Sequence, residues 1–185
     1  MLTNQDYESL LGIVKEEFPD FEIIKKDNSS LMKVIDVFLR TITFGRMKRF
    51  MTDFITTIGH RVYVPADWDD NSPATKSSTI RHERVHMRQG KKYGKFLFSL
   101  LYIALPFPTL FAYFRTKFEK EAYEETLRTV NEYYGPSIFT PGLKEKIVSL
   151  FVGPEYFWMW YRKKDIESWY DETVKKILNN STIQN

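Results

Sequence analysis

Two of the chain's three histidines stand four residues apart in His82-Glu83-Arg84-Val85-His86. On a helix that spacing places both imidazoles on one face, where they can converge on one zinc ion with bonds of about 2.0–2.1 Å. Glu83, beside the first ring, brings a carboxylate to the same turn. Its chemistry would be to take a proton from a water activated by the metal and pass it to the leaving amine, while the ion polarises the carbonyl under attack. The H-E-x-x-H pattern thus points to metal-assisted hydrolysis, with His82 and His86 as ligands and Glu83 as general base. Such a pentapeptide also arises by chance on a solvated helix. Against that reading stand the scarcity of histidine elsewhere and the Ser77-Ser78-Thr79 run, a helix-capping composition, just ahead.

A catalytic zinc needs a third protein ligand and leaves one position for water. Cysteine is absent, so the donors are nitrogen and oxygen, and both disulfides and thiol catalysis are excluded. His60 is the remaining histidine; it falls in a Gly59-His60 turn, where a surface role is the plainer one. Acidic residues cluster at Glu119, Glu121, Glu124 and Glu125. Asp53, Asp67, Glu124 and Glu125 are candidates to accept from the outer ring nitrogens of the histidines. A donor for the developing oxyanion could come from His60, Arg115, Tyr134 or Tyr156.

At Glu119-Lys120-Glu121-Ala122-Tyr123 the chain resembles the gluzincin group of zinc peptidases, whose second helix supplies a glutamate within Glu-x-x-Ala. The resemblance implies Glu119 as third ligand, with Glu121 as the alternative. Tyr123 departs from the pattern, because gluzincins carry a small polar or acidic residue there to support the first histidine. The metzincin pattern is excluded, since Gly90 is followed by no further histidine. The wider arrangement H-E-x-x-H-x-x-Q, an apolar segment, Arg115, then Glu-x-Glu-Ala-Tyr is also similar to small bacterial and phage metallopeptidase-like proteins. The likeness covers Ile58 to Tyr123. It implies a Zn2+ cofactor, a peptide or protein substrate, and a cleft-lining strand drawn from 54–58 or 61–64.

The elements that must position these residues are readable in part. Tyr7, Leu10, Leu11, Val14 and Phe18 recur at helical spacing behind Thr3 or Asn4, and Leu31, Val34, Ile35 and Phe38 do so behind Ser29 or Ser30. Phe21 to Ile24 is a candidate strand. The β-branched stretch Thr52 to Val64, broken at Gly59-His60, reads as a hairpin. Pro65 to Ser78 reads as a polar loop leading into the motif helix. Helices are expected from Phe118 to about Tyr133, from Thr140-Pro141 to Gly153, and through Ile166, Trp169 or Tyr170, Thr173 and Ile177. The fold class expected is α+β, mostly helical and zincin-like, with a small hairpin or sheet before the motif helix.

With 185 residues, 43% hydrophobic and 16% aromatic, the chain can bury one substantial core. A single domain over 1–185 is expected, with a metallopeptidase-like core at about 50–135 and a helical part at about 140–178. A net charge of +3 with scattered basic residues excludes nucleic acid as the expected partner. The opening residues form no signal peptide, so the default location is cytoplasmic. Residues 96–114 carry no charge and have the length of a membrane span. Pro106 and Pro108 would break it in lipid, so a buried helix from about Tyr93 to Ala104 is favoured over membrane association. Two other functions remain open beside a peptidase: a metal-bound, non-catalytic protein-interaction module built on the aromatic run Tyr156 to Tyr161, and a zinc hydrolase of a non-peptide amide.

Overall fold

The computed structural model describes residues 3–45, 48–94, 111–153 and 162–183. The described chain is mostly helical, with one small sheet ahead of the motif helix, and it forms two compact units that divide between Ser77 and Ser78.

In the first unit, helix α1 (Asn4–Glu17) starts from a capping box. Thr3 Oγ1 accepts from the Asp6 amide at 3.3 Å, and the Asp6 carboxylate accepts from the Thr3 amide at 2.8 Å, so two amides that the helix leaves unpaired are satisfied. Ser29 caps α2 (Ser30–Ile42) by accepting from the Met32 amide at 3.3 Å. Strand β1 (Glu22–Lys25) lies between them, and the helical turn α3 (Phe50–Asp53) precedes strands β2 (Thr56–Ile58) and β3 (Arg61–Val64). The hairpin of β2 and β3 turns at Gly59, whose φ of +64° suits glycine. Strand β1 runs parallel to β3, with Ile23 opposite Val62, and the sheet order is β1-β3-β2. The hairpin read from the sequence is therefore two-thirds of a sheet. Its β-branched stretch also begins later than expected, because an Arg49–Asp53 pair one turn apart closes residues 50–53 into helix. Met32, Phe50 and Tyr63 form the buried cluster, joined by Ile24, Ile35 and Leu39. Lys26 is buried against it, its Nζ donating to the Phe50 carbonyl at 2.7 Å.

The motif lies on α4 (Pro73–Tyr93). This helix starts five residues before the expected end of the loop at Ser78. Ser72 Oγ accepts from the Thr75 amide at 3.2 Å, and Pro73 occupies the first helical position, where its missing amide proton costs nothing. Proline at that place is a start signal, whereas the polar run around it suggested only a loop. Helix α5 (Phe111–Tyr134) ends at Gly135, with φ +71° and its amide bonded to the Asn131 carbonyl at 2.9 Å. Thr140 caps α6 (Pro141–Val152), and α7 (Lys163–Ile183) follows. Leu127 of α5, Ile147, Val148 and Phe151 of α6, and Ile166, Tyr170 and Ile177 of α7 make one core cluster.

Among the described residues no helix is long and apolar enough to cross a membrane. Residues 95–110, which hold Pro106, Pro108 and most of the uncharged segment, lie outside them, as does the run from Tyr156 to Tyr161.

Candidate metal centre

Helices α4 and α5 meet through side chains in reverse order. Arg81 Nη1 donates to Glu132 Oε2 at 2.5 Å, His82 Nδ1 lies 3.1 Å from Thr126 Oγ1, His86 faces Glu119, and Gln89 reaches Phe118 and Glu121. The helices are thus antiparallel neighbours along this seam. Their register brings Glu119, fully buried, to both motif histidines.

His82, His86 and Glu119 form a three-donor cluster. The two Nε2 atoms are 3.2 Å apart; His82 Nε2 is 3.7 Å from Glu119 Oε2, and His86 Nε2 is 3.7 Å from Glu119 Oε1. A tetrahedral ion with ligand bonds of about 2.0–2.2 Å would set its donors roughly 3.3–3.6 Å apart. The observed separations, 3.2 and 3.7 Å, bracket that range, the two longer ones running to different oxygens of the Glu119 carboxylate. Glu121, the alternative third ligand, is not part of the cluster; its Oε2 instead accepts from Gln89 Nε2 at 2.9 Å.

The outer nitrogens decide which atoms can ligate. Thr126 donates its hydroxyl to the Ala122 carbonyl at 3.3 Å, so its lone pairs are open to an Nδ1–H of His82. Gln89 Nε2 serves two acceptors, the Phe118 carbonyl at 3.1 Å and Glu121, which turns Oε1 toward His86 Nδ1 at 2.9 Å. With both Nδ1 atoms acting as donors, two Nε2 lone pairs and a buried carboxylate converge on one spot. A metal cation held there would resolve that concentration of acceptors. The His82 pKa is pushed well below its ordinary value, first by burial and then by neighbouring His86, with a bond to the Ala122 carbonyl opposing. The ring is held neutral, which is the ligating form.

Glu83, adjacent to His82, is 8% exposed. Together the His-His-Glu cluster and Glu83 match the arrangement of H-E-x-x-H zincins and suit a zinc-dependent hydrolytic site. No protein-family model, curated protein or solved structure matches the chain.

Other residues singled out in the sequence have different surroundings. The Tyr123 ring packs edge-on against His82, with centroids 4.8 Å apart, and its far side meets Phe151 at 5.3 Å. The support that an acidic residue at this position gives in gluzincins comes here from Thr126. His60 is paired with Asp20 and packs on Phe18. Asp53 pairs with Arg49 and Glu124 with Arg128, while Glu125 lies 3.9 Å from Arg81 and 3.8 Å from Arg128. Tyr134 is 52% exposed at the end of α5; fifteen residues separate it from Glu119, about 22 Å along a helix. Arg115 stands one turn before Glu119, and Tyr156 lies outside the described residues.

Gln89 and Thr126 were missed as partners of the histidines. Both left a signal in the spacing. Gln89 follows His86 by three and Thr126 follows Glu119 by seven, each a same-face interval on its helix.

Proposed function

We propose that this protein is a zinc-dependent peptidase in which His82, His86 and Glu119 hold the ion and Glu83 is the general base. The observation that carries the proposal is the buried convergence of two Nε2 atoms and a carboxylate at 3.2–3.7 Å beside Glu83. Two imidazole nitrogens and a carboxylate at these separations favour zinc over calcium or magnesium, which take more ligands, nearly all of them oxygen.

Bound zinc supplies a Lewis acid that polarises the scissile carbonyl and brings the pKa of a water into the neutral range. Glu83 takes a proton from that water as its oxygen bonds to the carbonyl carbon, and returns a proton to the amide nitrogen as the C–N bond breaks. Arg115, one helical turn before Glu119, is the candidate donor to the oxyanion in this reading. Gln89 and Thr126 hold the two rings by their outer nitrogens. A peptide as substrate rests on the resemblance to gluzincins.

The test combines metal analysis with hydrolysis of a broad peptide library. Wild type binds one zinc and cleaves. Glu83→Gln keeps the metal and loses about 10²–10⁴-fold in turnover, the usual worth of general acid–base catalysis. His82→Ala and Glu119→Ala lose the metal, while Glu121→Ala still loads at saturating zinc. Equal zinc content in Glu119→Ala and wild type would overturn the ligand set. Undiminished cleavage by Glu83→Gln would overturn the base.

A further inference from the structure

We infer that Gln89 is a positioning residue of this metal centre, fixing the His86 ring through its amide, and that Glu121 acts on the metal through Gln89 rather than as a ligand. The inference rests on the zinc reading above and concerns how the site is tuned.

Gln89 is 4% exposed, and each end of its amide has an assigned task. Two acceptors, the Phe118 carbonyl at 3.1 Å and Glu121 Oε2 at 2.9 Å, can be served only by the NH2 group. That fixes the amide's orientation. The oxygen then faces His86 Nδ1 at 2.9 Å and demands a proton there, which leaves the Nε2 lone pair for the ion. Were the amide reversed, its NH2 would confront Nδ1, stabilise the other tautomer and put a proton on the ligating nitrogen. The Phe118 carbonyl helps to prevent this, and Glu121 adds a charged acceptor. A carboxylate bonded to the amide N–H polarises the group toward its oxygen, which strengthens the bond from Nδ1–H and makes Nε2 a better donor.

Glu121 itself is exposed and lines an open groove with Lys117, Lys120, Glu124 and Trp169. Its replacement disturbs no core. The carboxylate's effect should be smaller than that of the buried amide, because solvent screens it. The arrangement also explains two acidic residues so close on α5: Glu119 faces the rings directly, and Glu121 is joined to one of them by the reach of Gln89.

The experiment measures zinc affinity of the full chain by chelator competition, together with 15N NMR of the histidines in metal-free protein. In wild type, His86 is expected as the Nδ1–H tautomer. Gln89→Leu should abolish that preference and weaken zinc binding about 10–100-fold, and Glu121→Gln should weaken it about 3–10-fold. Gln89→Glu alone sets two carboxylates against each other; combining it with Glu121→Gln restores a donor beside the new acceptor. The double variant should therefore bind zinc more tightly than Gln89→Glu, an outcome that loss of packing would not produce. Wild-type affinity in both Gln89→Leu and Glu121→Gln, a double variant no tighter than Gln89→Glu, or an Nε2–H tautomer in wild type would each overturn the inference. If wild type holds no zinc yet His86 is Nδ1–H and loses that preference in Gln89→Leu, the positioning role stands and the zinc reading falls.

Discussion

A ligating histidine almost always has a partner at its other ring nitrogen, and at this site the groups facing those nitrogens are neutral. Thr126 Oγ1 and Gln89 Oε1 face the two Nδ1 atoms at 3.1 and 2.9 Å, in places where carboxylates were expected. A neutral acceptor leaves the imidazole less electron-rich than a carboxylate would, so the ion keeps more of its Lewis acidity. The largely enclosed His82 ring, its side chain 12% exposed, carries a consequence for stability. Its folded pKa lies below the value of about 6.5 that it has in an unfolded chain. Below about pH 6.5 the unfolded chain takes up a proton that the native ring refuses, so the stability contributed by neutral His82 is present above that pH and lost as the pH falls toward the folded value. Urea midpoints of metal-free protein should therefore drop between pH 7.5 and 5.5, with a shallower drop in His82→Gln. An identical slope in that variant would remove His82 as the cause.

At the scale of elements, the site depends on a rank of rings behind α5. Tyr123 rests on His82, Phe151 on Tyr123, and Trp169 on Phe151, with centroid distances of 4.8, 5.3 and 5.2 Å. Packing of α6 and α7 thereby sets how firmly the first ligand is backed. Phe151 is fully buried at the centre of the rank. Its truncation to alanine removes a large side chain from a closed core and should cost about 3–5 kcal/mol of unfolding free energy. Denaturant unfolding at saturating zinc measures this, and a loss below about 1 kcal/mol would show that the core collapses around the gap. Three of the helix starts were legible in the chain. Thr3, Ser29 and Thr140 cap where their side chains and the following pattern placed them, because a cap is a contact between residues two or three apart.

For the whole molecule, a ligand that binds only the folded site must stabilise it by mass action. Zinc at a hundred times its dissociation constant should add about 2.7 kcal/mol to the unfolding free energy, and a chelator should remove it. Glu119→Ala, measured the same way, should show no zinc-dependent gain. The α+β class, the sheet before the motif helix and the pair His82 and His86 were all legible in the chain, since each follows from spacing within one or two turns or strands. The resemblance ranked Glu119 above Glu121, but that Glu119 meets both rings, and that Gln89 and Thr126 stand at the outer nitrogens, came only with the tertiary structure. Those two glutamates lie two residues apart on one helix, and which of them meets the histidines depends on the rotation and axial register of α5 against α4. Neither quantity is written in any local stretch of residues. Both are set by how side chains from α4 to α7 fill a common interior.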